Sequence, residues 1–67
     1  MILYATDIVE QHDLRFRYVV CKTGGRCMVS QQDMDGDAPW NETPMMSFPA
    51  AEDAIQFAQD TLAMTSP

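Results

Sequence analysis

Basic residues are scarce in this sequence: four lysines and arginines stand against ten aspartates and glutamates, which gives a formal net charge of -6. Proteins that bind DNA or RNA neutralise phosphates with lysine and arginine, so this shortage argues against direct nucleic-acid binding. The charge is compatible with a basic protein surface as partner, including the groove of a nucleic-acid-binding protein. From the net charge alone, acidity that only keeps the chain soluble is the favoured interpretation.

Long apolar runs are also missing. No stretch approaches the roughly 20 residues that a membrane helix needs, and the first seven residues lack the basic segment of a secretory signal. We therefore expect a cytoplasmic protein without membrane contact. The sequence of 67 residues predicts a single domain over residues 1–67. A domain of this size buries only about 60% of its unfolded surface, and we expect a monomer or a weak homodimer.

Groups for catalysis or metal binding are few. His12 is the one histidine, whereas a catalytic histidine needs an oriented partner and a nucleophile within reach. No phosphate-binding glycine loop is present, and Cys21 and Cys27 with one histidine fall short of the usual ligands of zinc. We therefore predict that the protein is not an enzyme and holds no cofactor or metal.

The acidic segment Asp33-Met34-Asp35-Gly36-Asp37 has the composition of a calcium loop. Counted from Asp33, however, the sixth and twelfth places hold Ala38 and Pro44, where an EF-hand needs glycine and glutamate. The pattern favours a solvated acidic loop over a calcium site.

Hydrophobic patterning predicts an α+β fold. Residues 2–9, 14–22 and 26–31 have the composition or the alternation of strands, and residues 32–47 break every period and predict a long acidic loop. Proline and acidic residues then favour a helix start, and an apolar stripe predicts a helix over residues 49–64. The predicted fold is a three-stranded antiparallel β-meander followed by one C-terminal helix packed on one face.

The turn Gly24-Gly25 sets the register of the second predicted hairpin. A type I′ turn needs positive φ at both central positions, and glycine supplies it without strain. This turn pairs Cys21 with Met28 and places Cys21 and Cys27 on opposite faces. Both are predicted to be free thiols, since their geometry excludes a disulfide.

The first predicted hairpin turns at Gln11-His12-Asp13. A three-residue loop there sets Asp7 opposite Arg17 on the outer face, a favourable cross-strand pair. A two-residue loop would turn Asp7 toward the core, which costs the burial of a charge. The favoured register pairs Ile8 with Phe16, Thr6 with Tyr18 and Tyr4 with Val20. The predicted core consists of Leu14, Phe16, Tyr18, Val20, Val29, Ile55, Ala58 and Leu62.

Trp40 is the candidate anchor of a binding surface. Its favoured position is folded back over the open end of the core, because a thin core needs large side chains. The alternative is an exposed patch with Met45, Met46 and Phe48, a composition typical of protein-binding hot spots.

Acidic residues dominate the second half of the sequence. No base follows Arg26, whereas seven acids follow residue 32. If the loop lies over the N-terminal end of the helix, these carboxylates form one field that can occupy the positions of nucleic-acid phosphates. The charge pattern alone favours a solvated face. The predicted partner-binding residues are Asp33, Asp35, Asp37, Glu42, Glu52, Asp53, Asp60 and Trp40.

Residues 47–58, Ser-Phe-Pro-Ala-Ala-Glu-Asp-Ala-Ile-Gln-Phe-Ala, look like a sheet-to-helix junction common to many small α+β proteins. In size, acidity and lack of a catalytic motif, the whole chain resembles phage-encoded inhibitor proteins, among them anti-CRISPR proteins and DNA mimics. The resemblance implies that the protein blocks the DNA-binding site of a bacterial nucleic-acid-processing complex in the host cytoplasm. The alternative is a small accessory or regulatory module that binds a protein partner through the Trp40 patch.

Overall fold

The computed structural model describes residues 1–65 and is an α+β fold, in which a five-stranded antiparallel sheet carries one C-terminal helix. The sheet has the order β1-β3-β4-β5, and β2 continues the edge formed by β1 along β3. The strands are β1 (Ile2–Ala5), β2 (Val9–Gln11), β3 (Leu14–Thr23), β4 (Arg26–Asp35) and β5 (Asn41–Phe48), and the helix is α1 (Ala51–Thr65).

The prediction of three strands is wrong, because most of the predicted acidic loop over residues 32–47 is strand. β4 continues to Asp35 and pairs with β3 along its whole length, and β5 adds an edge strand beside β4. Backbone pairing does not require apolar side chains, so polar residues extend β4 although they break the hydrophobic pattern. Pro44 fits in β5 because an edge strand needs ladder hydrogen bonds on one side only. The loop between β4 and β5 is confined to residues 36–40.

The first hairpin has a two-residue turn at His12-Asp13, so the predicted three-residue loop is wrong. His12 adopts the left-handed backbone with a φ of 57°, and Val9 takes the place opposite Phe16 that was predicted for Ile8. Residues 6–8, which connect β1 to β2, are not part of a strand. This break absorbs the change of register, and Tyr4 therefore pairs with Val20 as predicted.

Thr6 holds the break between β1 and β2 in place. Its backbone N–H donates to the carbonyl oxygen of Tyr18 at 2.9 Å, and its Oγ1 accepts from the backbone N–H of Tyr18 at 3.0 Å. Thr6 is buried, whereas Asp7 is exposed and lies outside the ladder. The irregular backbone thus avoids the burial of the Asp7 carboxylate, and the predicted cross-strand pair with Arg17 does not form.

The second hairpin has the predicted register. Gly24 and Gly25 have φ values of 58° and 78°, and Cys21 lies opposite Met28. Cys27 is buried on the face that α1 covers, and Cys21 is half-buried on the other face. Both cysteines are free thiols, as predicted.

The core lies between the sheet and α1, and most of its predicted members are correct. Phe16, Tyr18, Val20, Val29 and Ala58 are buried, and Ile55 and Leu62 are half-buried against them. Leu14 is instead 39% exposed, because it lies at the end of β3 opposite Asp35 and outside the core cluster.

Small side chains bring α1 close to the sheet. Ala54 and Ala58 are fully buried, and no larger helix residue is. At one end of the helix the rings of Phe48 and Phe57 pack with centroids 5.4 Å apart. At the other end the Tyr18 hydroxyl lies 3.3 Å from Thr65 Oγ1. The helix begins at Ala51, two residues after the predicted start at Pro49.

The close approach of α1 predicts that enlarging Ala58 is costly. Ala58→Leu should lower the free energy of unfolding by about 1–3 kcal/mol, because the added atoms push the helix away from the sheet. Ala63→Leu is the matched control on the exposed side of the same helix and should leave stability within about 0.5 kcal/mol. Urea unfolding followed by circular dichroism measures both; equal effects would contradict the packing described.

Candidate functional site

The sheet has two unlike faces. The helix side is covered by α1 and carries the aromatic core residues of β3. The opposite face, here called the open face, is covered by no helix or strand of residues 1–65. By strand alternation and register, the open face carries Ile2, Ala5, Glu10, Arg15, Arg17, Val19, Cys21, Thr23, Arg26, Met28, Ser30, Gln32, Met34, Glu42, Pro44 and Ser47.

Trp40 belongs to the open face, not to the core. It is half-buried immediately before β5, and the Arg17 guanidinium carbon lies 5.2 Å from the centroid of its ring. This distance is that of a cation–π contact. The prediction that Trp40 caps the end of the core is therefore wrong, because the strand β5 places it on the face away from α1.

Glu42 lies on the same face as Trp40 and is linked to Arg17 through one amide. Gln32 donates from Nε2 to Glu42 Oε1 at 2.9 Å, and its Oε1 accepts from Arg17 Nε at 2.9 Å. These three side chains form one row across β3, β4 and β5. A carboxylate and a guanidinium are thus held at a fixed separation on either side of a neutral amide.

Three of the predicted acidic residues lie on the exposed side of α1. Glu52 and Asp53 are in the first turn, where carboxylates are favoured by the helix dipole, and Asp60 follows two turns after Asp53. Gln56 donates from Nε2 to Asp60 Oδ1 at 2.9 Å and fixes that side chain. No arginine or lysine lies on the helix itself.

The other predicted acids are at the opposite end of the sheet. Asp33 is half-buried and accepts from Gln31 Nε2 at 3.3 Å, whereas Asp35 and Asp37 are exposed at the turn that follows β4. The start of α1 follows Phe48, which pairs with Cys27, eight residues from Asp35 along β4. At about 3.3 Å per residue this separation is about 26 Å, so the acidic turn does not lie over the helix N-terminus.

Charge is distributed unevenly between the open face and the rest of the chain. The open face carries three arginines and two glutamates, a net charge of +1. One lysine and the eight other acids give the rest of the chain a net charge of -7, which together with the open face makes -6. The one ion pair among residues 1–65, Arg15 Nε to Glu10 Oε1 at 3.2 Å, is on the open face and largely exposed.

The contacts of Arg17 with Trp40 and of Gln32 with Arg17 and Glu42 were not predicted from the sequence. The alternation of β3 did place Arg17 on the outer face. The hydrophobic pattern predicts a loop at Gln32, and only the pairing of β5 with β4 brings Glu42 and Trp40 next to it. The signal available was the even spacing of Gln32 from the open-face residues Met28 and Ser30.

The described part of the chain, residues 1–65, contains no pocket and no cluster of three or more His, Cys, Asp or Glu side chains that could hold a metal ion. Over the same residues, no helix is long and apolar enough to cross a bilayer. Comparison with family models, with curated proteins and with solved structures found no significant match.

The position of Trp40 predicts a small effect on stability. Trp40→Ala should lower the free energy of unfolding by about 1 kcal/mol, because it removes a partly exposed cation–π contact and no core packing. Phe16→Ala is the comparison in the core, where the side chain is 4% exposed, and should cost about 3–5 kcal/mol. Chemical unfolding of the two variants measures the difference, and equal losses would place Trp40 in the core.

Proposed function

We propose that this protein is a small non-enzymatic binding protein that docks its acidic helix side on a basic protein surface. The partner in this proposal is the DNA-binding groove of a bacterial nucleic-acid-processing complex, which the carboxylates occupy in place of phosphates. The protein then acts in the cytoplasm as an inhibitor of the phage-encoded, anti-CRISPR type.

The uneven distribution of charge between the open face and the rest of the chain is the observation that carries this proposal. Outside the open face, eight carboxylates are accompanied by one lysine. Such a field attracts a positively charged groove and repels nucleic acid, and it speeds encounter with the partner. A protein that needed acids only for solubility could scatter them over all of its surface, including the open face.

The spacing of the helix carboxylates supports the same mode of binding. Asp53 and Asp60 are seven residues apart on the exposed side of α1, which is about 10.5 Å along the helix axis. Phosphates of one DNA strand advance about 3.4 Å per base, so this separation corresponds to about three bases. The helix is packed against the sheet through Ala54 and Ala58, which keeps the carboxylates on a rigid support.

A second candidate function uses the open face. Trp40, stacked on Arg17, offers a rigid aromatic surface of the kind that anchors protein interfaces. In this alternative the protein is an accessory or regulatory module that binds its partner through the Trp40 side. The two candidates require opposite faces of the sheet and can therefore be separated by substitutions.

Neutralising the helix acids tests the leading proposal. The assay measures how the protein competes with labelled duplex DNA for purified CRISPR interference complexes from bacteria. The triple variant Glu52→Gln, Asp53→Asn, Asp60→Asn keeps the side-chain shapes and should weaken inhibition about tenfold or more, because three charges facing the groove are lost. Inhibition by the unchanged protein should also decrease steeply as salt rises.

The matched control neutralises the two carboxylates of the open face. Glu10→Gln with Glu42→Gln should leave inhibition unchanged, since these side chains face away from α1. Circular dichroism verifies that each variant is folded. If Trp40→Ala abolishes binding in a folded protein while the helix variant binds normally, the charge-based proposal is wrong and the accessory-module alternative replaces it.

A further inference from the structure

The open face has an apolar centre between two polar ends. Val19 is fully buried there and Ser30 is 2% exposed, although no helix or strand of residues 1–65 covers them. Residues that lie opposite one another on β3, β4 and β5 form rows across this face. Val19, Ser30 and Pro44 form one row, and the half-buried Cys21 and Met28 belong to the next. These rows form a surface with little charge in a strongly acidic protein.

Among two-fold symmetric contacts, self-association is most favourable through this face. A two-fold contact brings the same surface of both copies together, so one that used the rest of the surface would oppose regions with a net charge of -7 each. Contact through the open faces brings together regions of +1 each, with charges of both signs, and leaves the acidic regions on opposite outer sides. Like-charge juxtaposition across an interface costs several kcal/mol, so the charge distribution selects the open face.

The rows of the open face in one copy also match the same rows in a second copy. β3 and β5 lie on either side of β4, so a two-fold axis that runs parallel to β4, midway between the two sheets, places β3 of each copy opposite β5 of the other. In the row of Gln32, Arg17 of each copy then faces Glu42 of the other, and Gln32 faces Gln32. In the following row Val19 and Ser30 are buried within the chain and only Pro44 is exposed, and one row further Met28 faces Met28. Opposite charges and apolar groups are thus matched without any change within the chain.

From this geometry we infer that a second copy of the chain covers the open face, forming a two-fold symmetric dimer with the two sheets packed face to face. The sheets lie about 10 Å apart in such a sandwich, with strand directions within about 30°. The inference concerns the open face only and does not rest on the function proposed for the helix side.

The area of contact predicts a weak dimer. Three strands about 4.8 Å apart and about 30 Å long give a projected area on the order of 400–500 Å² per copy. Specific stable interfaces bury about 800 Å² per partner, and smaller ones are weak and transient. Sedimentation equilibrium of the unchanged protein at concentrations from about 1 µM to about 1 mM should therefore show a transition from monomer to dimer.

A charge swap across the two-fold axis tests the arrangement. Arg17→Glu or Glu42→Arg alone places like charges together at two symmetric positions and should weaken association about tenfold or more. The double variant Arg17→Glu, Glu42→Arg restores opposite charges between copies and should associate within about threefold of the unchanged protein, because the matched pairs are re-formed. The amide of Gln32 can turn over, so that it donates to the carboxylate now on β3 and accepts from the guanidinium now on β5. The row within each chain is therefore kept.

Asp60→Arg on the exposed side of α1 is the matched reversal outside the interface and should not weaken association. The inference fails if the unchanged protein is monomeric at about 1 mM, the upper end of the range for transient contacts. It also fails if the two single reversals weaken association and their combination does not recover it.

Alkylation of the unchanged protein gives a measurement without any substitution. Cys21 faces Ser47 of the other copy in this dimer, so its reaction with iodoacetamide should slow as the protein concentration rises through the transition. Cys27 is buried beneath α1 and should react slowly at every concentration. A rate at Cys21 that does not depend on protein concentration would overturn the open-face dimer even if the protein associates.

Discussion

The pairing of β3 with β4 is the constraint on which the rest of this structure depends. The turn at Gly24 and Gly25 fixes a register that runs without interruption for ten residues on each strand. Because side chains alternate between the faces, a slip of one residue would expose the apolar groups and bury the arginines. The same register therefore determines the core, the separation of the two thiols and the placement of Arg17 on the open face.

The thin core explains why the two faces of the sheet are so different. One helix, packed through Ala54 and Ala58, covers a single face of the sheet. Most aromatic and β-branched residues of the sheet lie on that face, where the helix removes them from water. The open face instead closes over Val19 with neighbouring strand residues and mixes apolar groups with compensated charges. A short chain can build one buried layer, and its second sheet face remains accessible for contact with another molecule.

The two faces of the sheet offer different interactions to a binding partner. On the helix side the carboxylates have almost no cationic partners in the chain, so in the proposed function long-range attraction to a basic surface governs recognition. On the open face the guanidinium of Arg17 is held by Trp40 and Gln32, and the inferred dimer combines its pairing with Glu42 of the other copy with contact over a small area. Because the faces are on opposite sides of one sheet, a dimer through the open face would present two acidic helices to two partners.

The sequence by itself determined the α+β class, the second hairpin and most of the core, because alternation in β3 and the paired glycines are local signals. The acidity and its concentration after residue 32 were equally visible. Only the tertiary structure decided that residues 32–35 and 41–48 are strands, since long backbone pairing with β3 and β4 compensates for weak local propensity. The break at residues 6–8 also depends on a distant partner, Tyr18. For the same reason the predicted site is divided: Trp40 and Glu42 lie on the open face, whereas strand alternation turns Asp33 and Asp35 to the other face.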